Sequence, residues 1–236
     1  MASAWRVTPM RILAIDSATT ELIVGVVDDG EPVSETVIAD SARAHNEILV
    51  PTIKDNLVHA GIDFADLDGV VVGCGPGPYT GLRVGIATAA AIADARRIPL
   101  FQVCTHDAIA WQLTTDHPQL EEHEIVVATD ARRKEVYWAR YKGGNRIAGP
   151  DVCRPDALGA EAAAISYPTH LQLPEHLSAL PCYPTTLSGA ALVAVANLDQ
   201  PVTTVKPLYL RRPDAKEPAA RPKSPAIPDI NVTDVV

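Results

Sequence analysis

The sequence predicts an α/β protein built from two related units, and three observations carry that prediction. Apolar runs that end in turn residues alternate with helical patterns: Val70-Val71-Val72 leads into the glycine-rich stretch from Gly75 to Gly85, which opens an alanine-rich helix. Residues 11–30 map onto 125–144 without a gap, placing Asp16 on Asp130, Glu21 on Glu135, Ala14 on Ala128 and Gly30 on Gly144. Hydrophobic residues make up 47% of the 236 and charged residues 21%, which suits a packed core in one large or two small domains. Aromatic residues are only 5%, so that core is built from Val, Ile, Leu and Ala.

Residues 11–16 read as a buried strand and 22–27 as a second, and Asp28-Asp29-Gly30 is a strong hairpin signal leading into a third at 32–38. A helix follows over 44–60. Ile48, Leu49, Ile53 and Leu57 form its apolar stripe, and Gly61 stands at the C-cap position. Pro51 predicts an early kink, or a start nearer Val50. Next come a strand at 70–73, the glycine turn, a helix over 81–97 capped by Thr80, a short strand at 100–103 and a helix over 107–113 capped by Thr105. The second series starts at Ile125. After Gly149 prolines become frequent, and only 189–198 keeps a helical, alanine-rich character. The expected division is a first α/β unit over 1–104, joined by a segment at about 199–212, and a second unit over 105–198. Residues 213–236, dominated by proline and charge, are expected to be disordered.

Several function classes are disfavoured. A net charge of −9 argues against a stand-alone nucleic-acid binder. No apolar run approaches the roughly 18–20 residues of a membrane span, and the four spread cysteines form no C-x-x-C pair, so a reduced, cytoplasmic protein is expected. No two of the seven histidines stand four apart, so no H-x-x-x-H metal pair exists. There is no G-x-S-x-G elbow, and Cys74 beside the glycine turn reads as a packing residue.

Two readings of the glycine turn remain open. Gly75, Gly77, Thr80, Gly81 and Gly85 either aim backbone N–H groups at an anion or simply turn the chain sharply. The stretch lacks the Lys-Ser/Thr pair of a P-loop. Asp16, Ser17 and Thr19, after the first strand, are a second candidate phosphate or nucleotide site, against a turn in which Asp16 bonds neighbouring amides. Arg132 and Arg133 at the equivalent turn of the second unit suit an anion, an acidic partner surface or solvent. Gly85, Ala89 and Ala93 form a small-residue face beside Ile86 and Ala90. The helix is therefore apolar around much of its girth and is buried on more than one side, by the rest of the chain or by another subunit.

These residues resemble the TsaB (YeaZ) family, a subunit of the bacterial machinery that makes threonylcarbamoyladenosine in tRNA. The matching pieces are Ile12 to Thr19, His45-Asn46-Glu47, Gly75 to Gly85, Asp130 to Tyr137 and Pro207 to Arg211, in family order. Pro78-Tyr79 stands where most members have Ser-Phe, and no motif matches between about 149 and 198. The resemblance implies an actin-like/Hsp70-like ATPase (ASKHA) fold of two duplicated units. It implies a non-catalytic scaffold that activates a homologous catalytic subunit, TsaD, with the small ATPase TsaE joining them and tRNA engaged only through the complex. No cofactor is then expected to bind strongly to the chain alone, and ATP or ADP and a metal are expected in the complex. The interface it implies is the first unit's two helices, which on this sequence means Ile48, Leu49, Ile53, Leu57, Arg83, Gly85, Ile86, Ala89 and Ala93, used also for self-pairing. The rival readings are a stand-alone ATP-dependent phosphotransferase of the same fold and, less well supported because the histidine pair is missing, a metalloprotease.

Overall fold

The computed structural model describes residues 10–39 and 45–211, so the expected disordered tail over 213–236 lies outside the described residues. Strand β1 (Arg11–Asp16) is buried on both faces and lies at the centre of the first sheet. It pairs antiparallel with β2 (Leu22–Asp28), which turns through Asp29 and Gly30 at positive φ into β3 (Glu31–Ile38). On its other side β1 pairs parallel with β4 (Gly69–Gly73), and β4 with β5 (Leu100–Val103), giving the order β3-β2-β1-β4-β5. The second sheet holds β6 (Ile125–Asp130), β7 (Val136–Lys142), β8 (Asn145–Cys153), β9 (Ala164–Tyr167) and β10 (Cys182–Pro184), in the order β10-β9-β6-β7-β8. Strand for strand this is the same topology, and β6 and β7 begin and end 114 residues after β1 and β2. The duplication read from Asp16 and Asp130 is therefore a duplication of the fold.

Side-chain alternation sends successive residues of β1 to two different cores. Leu13 and Ile15 face helices α1 (His45–His59) and α2 (Tyr79–Arg96), where they meet Leu49, Ile53 and Ala89. Ile12 and Ala14 face the other way, into a core that also takes Ile125 and Val127 of β6. Helices α3 (Thr105–Asp116) and α4 (Gly189–Ala194) pack in that shared core, through Ile109, Leu113, Ala191 and Leu192. Helix α4 falls within the stretch that the sequence assigns to the second unit, yet it rests on β1 and β2 of the first. Gly25 and Gly189 make this possible: a Cβ on either would lie 3.1–3.3 Å from the other's Cα.

Among the described residues the outer face of the second sheet has no counterpart of α1 and α2. Val126, Ala128 and Ile165 are covered by Leu158, Leu177 and other leucines on loops and short 3₁₀ turns such as Glu175–Leu177. That is why periodicity fades after Gly149: the cover is made of isolated apolar residues rather than a helical stripe.

Because α3 lies in a core that both sheets build, the two halves are expected to unfold together. Ile109→Ala should lower stability by about 2–4 kcal/mol while keeping one cooperative transition in chemical denaturation. Two separate transitions would contradict a shared core.

Candidate functional site

The glycine turn, the end of β1 and the start of α3 converge on one buried carboxylate. Asp16 is fully buried. Its Oδ1 accepts from the Ala18 N–H at 2.7 Å, and its Oδ2 from the Thr105 hydroxyl at 2.6 Å. Thr105 in turn holds Gly75: its hydroxyl accepts from the Gly75 N–H at 3.2 Å, and its own N–H donates to the Gly75 carbonyl at 2.8 Å. Ser17 holds the start of α2, donating to the Gly81 carbonyl at 2.8 Å and accepting from the Gly85 N–H at 3.1 Å.

The glycines exist to let these groups close up. A Cβ on Gly73 would overlap Asp16 Oδ2, one on Gly77 would sit 2.2 Å from the Ala18 carbonyl oxygen, and one on Gly85 would sit 2.3 Å from Ser17 Oγ. Gly75 has φ 98°, which L side chains rarely adopt. Asp16 and Ser17 thus direct their hydrogen bonds inward, where a phosphate would have to enter. In the structure these two side chains lock the chain, Asp16 to Ala18 and Thr105 and Ser17 to Gly81 and Gly85. Two caps also differ from expectation. The N-cap of α2 is Pro78, without a side-chain bond, and Thr80 lies exposed in the first turn. Thr105 does not cap α3 either, because its hydroxyl is held by Asp16.

The equivalent carboxylate of the second unit faces a cleft. Asp130 Oδ1 accepts from the Arg132 N–H at 2.7 Å, repeating the Asp16–Ala18 bond, while Oδ2 lies 3.3 Å from His170 and 3.5 Å from the Arg132 guanidinium. Thr19, Thr129 and Thr185 help line this cleft, whose volume is about 60 Å³. That is the space of about two waters. Among the described residues no three His, Cys, Asp or Glu side chains gather as a metal site.

Sequence reasoning missed the residues that tie the halves together. His106 is buried, with Nε2 2.8 Å from the Thr129 hydroxyl, and burial, aided by the Arg146 charge, pushes its pKa down to about 3, so it is neutral. Adjacent residues Thr105 and His106 thereby bond the end of β1 and the end of β6. Only a polar Thr-His pair at the mouth of a buried helix hinted at this.

The predicted interface residues divide. Leu49, Ile53, Leu57, Gly85, Ala89 and Ala93 are buried against the chain's own first sheet, so they are core and not a free face; Ile48 and Ile86 are half-buried and only Arg83 is exposed. The small-residue stripe that remains open is Ala87, Ala91 and Ala95, two positions along the helix. With Val50, Phe64 and Ile92 it lines an apolar groove of about 520 Å³ between α1 and α2. Val50 is 45% exposed and Val58, a little over two turns on along α1, 75% exposed. Helix α2 is apolar on both sides, and the sequence could not say which side the sheet would claim. No helix of the described residues is long and apolar enough to cross a membrane.

Burial raises the Asp16 pKa from 3.8 to about 6, more than the Thr105 and Ala18 bonds lower it. A carboxyl that holds its proton more tightly when folded stabilises the fold fully below about pH 4 and loses that contribution as pH rises through 6. Between pH 4 and 7 the wild type should lose about 3 kcal/mol from this group. Asp16→Asn should flatten that dependence in denaturation curves measured across the range; parallel curves would assign the slope elsewhere.

The model of the family described as TsaD, tRNA N6-adenosine threonylcarbamoyltransferase, matches residues 35–218. The chain is 48% identical over 218 residues to an uncharacterized protein of Mycobacterium tuberculosis, covering 89% of this chain and 96% of that one. It is 33% identical over 133 residues to the tRNA threonylcarbamoyladenosine biosynthesis protein TsaB of Escherichia coli, a match covering 56% of this chain and 55% of that protein. A solved Pseudomonas aeruginosa structure, described as similar to the peptidase YeaZ, superposes with TM-score 0.68 at 23% identity, over 86% of this chain and all of that one. With the two sheets of identical order, this is the actin-like/Hsp70-like ATPase fold of two duplicated units. The chain belongs to the TsaD family and, within it, is of the TsaB/YeaZ type.

Proposed function

We propose that this chain takes part in the biosynthesis of threonylcarbamoyladenosine in tRNA, as a non-catalytic scaffold that activates a TsaD-type catalytic subunit by pairing with it. The TsaB name of the Escherichia coli relative supports the process. The observation that carries the pairing is the apolar groove between α1 and α2. Its floor of Ala87, Ala91 and Ala95 lets another helix approach to about 8–10 Å. Val50, which lines it, remains 45% exposed, which disfavours an isolated face. In this reading a TsaE-type ATPase joins the pair, and ATP or ADP and a metal belong to that assembly. tRNA is modified only within it, and without its partner the chain pairs with a second copy through the same groove.

Light scattering on a sizing column, for the chain alone and mixed with the TsaD-type subunit of the same organism, tests the pairing. The mixture should give a one-to-one heterodimer. Ala91→Glu, which places a charge on the groove floor, should remove the heterodimer while leaving the circular dichroism spectrum and unfolding midpoint unchanged. A heterodimer indifferent to this substitution would place the interface elsewhere.

A further inference from the structure

An acidic chain turns basic where the glycine turn, the β6–β7 turn and the C-terminal segment meet. Tyr79, the first residue of α2, stacks on Tyr209 with ring centroids 4.8 Å apart, and the Arg83 guanidinium lies 4.3 Å from the centre of the Tyr79 ring. Both rings stay accessible, Tyr79 42% and Tyr209 37% exposed. Two residues beyond Tyr209, Arg211 donates to the Arg132 carbonyl at 3.5 Å and pairs with Glu135, which ties the tyrosines to the β6–β7 turn. That turn presents Arg132, Arg133 and Lys134 in succession, all exposed and all in left-handed backbone conformation, with φ 63°, 54° and 61°. The Arg132 side chain is 52% exposed although it reaches Asp130 at 3.5 Å. Beside Arg83 and Tyr209 opens a hollow of about 660 Å³, floored by Ile86, Ala90 and Val205 and edged by Thr203 and Thr204. The groove proposed for the catalytic subunit shares Ala87 with this hollow, so the two surfaces adjoin.

We infer that this surface contacts RNA directly, with Tyr209, backed by Tyr79, receiving an unpaired base and Arg83, Arg132 and Lys134 meeting phosphates. An accessible aromatic ring beside a cationic track is the arrangement that binds single-stranded nucleic acid. An acidic protein segment would meet the same cations but would leave the exposed tyrosine ring unused. The chain's net −9 forbids tight binding alone and suits a surface that guides RNA delivered by a partner. The inference rests on the proposed function for its choice of tRNA as the RNA; the surface itself does not depend on it.

The test uses the full chain and unmodified tRNA carrying 4-thiouridine, irradiated with the chain alone and with the TsaD-type mixture, while a sizing column reports on the heterodimer in parallel. Crosslinked peptides should contain Tyr79 or Tyr209. Lys134→Glu should weaken tRNA binding to the mixture about 5- to 10-fold and reduce the slope of log affinity against log salt by about one. Tyr209→Ala should lower crosslinking without changing that slope. Crosslinks confined to the catalytic subunit, or a salt slope indifferent to Lys134→Glu, would overturn the inference while leaving the heterodimer intact. Loss of the heterodimer in Lys134→Glu with unchanged crosslinking would also overturn it and make the patch a protein contact. Crosslinks at the tyrosines without any heterodimer would uphold the inference and sink the proposed pairing.

Discussion

The structure depends on one buried carboxylate that three separate parts of the chain must satisfy. Asp16 lies where water cannot reach it, so each of its oxygens needs a donor from the protein. Ala18 supplies one and Thr105 the other, and Thr105 is doubly bonded to Gly75. The end of β1, the turn after β4 and the start of α3 are thereby fixed to one another at a single point. Ser17, the next residue, adds the start of α2. Every glycine that crowds this knot is a place where a side chain would push it apart.

The same position in the second unit shows what the knot excludes. Asp130 keeps the backbone bond of Asp16 but meets an imidazole and a guanidinium at a cleft instead of a threonine in a core. One fold, used twice, thus gives a closed carboxylate in the half that carries α1 and α2 and one at a cleft in the half whose described residues hold no such pair. In the closed half Ser17 ties the start of α2 to the sheet, while α1 is held to β3 through Asn56, which bonds Ser34 and Thr36. The activity argued for here lies in that outward face rather than in a reacting centre of the chain's own.

The duplication was legible because strand ends and turns are local signals: the Asp at the end of each central strand and the Gly at each hairpin keep their spacing. The strands β1 to β7 and the long helices announced themselves by period. Strands β8 to β10 and the leucine cover after Gly149 did not: β8 carries Gly149-Pro150 in its middle, β9 and β10 lie among prolines, and single anchoring leucines have no period to read. The glycine turn was legible as special but not as to purpose: an anion cradle and a close-packed corner need the same residues. Thr105 was misread because a hydroxyl at a helix start satisfies the capping pattern whether it bonds its own helix or a carboxylate 89 residues earlier. Which face of α2 the sheet buries was not legible for a similar reason. Gly85-Ala89-Ala93 and Ala87-Ala91-Ala95 are both small-residue stripes, and only the sheet's position distinguishes the buried one.

The central claim is that the α1–α2 groove is where the catalytic subunit sits. Amide hydrogen exchange of this chain, before and after addition of the TsaD-type subunit of the same organism, tests it most directly. The account predicts added protection in peptides covering Val50 to Phe64 and Ala87 to Arg96, with the second sheet unchanged. Protection confined to the second unit, or none in a mixture shown to bind, would contradict it.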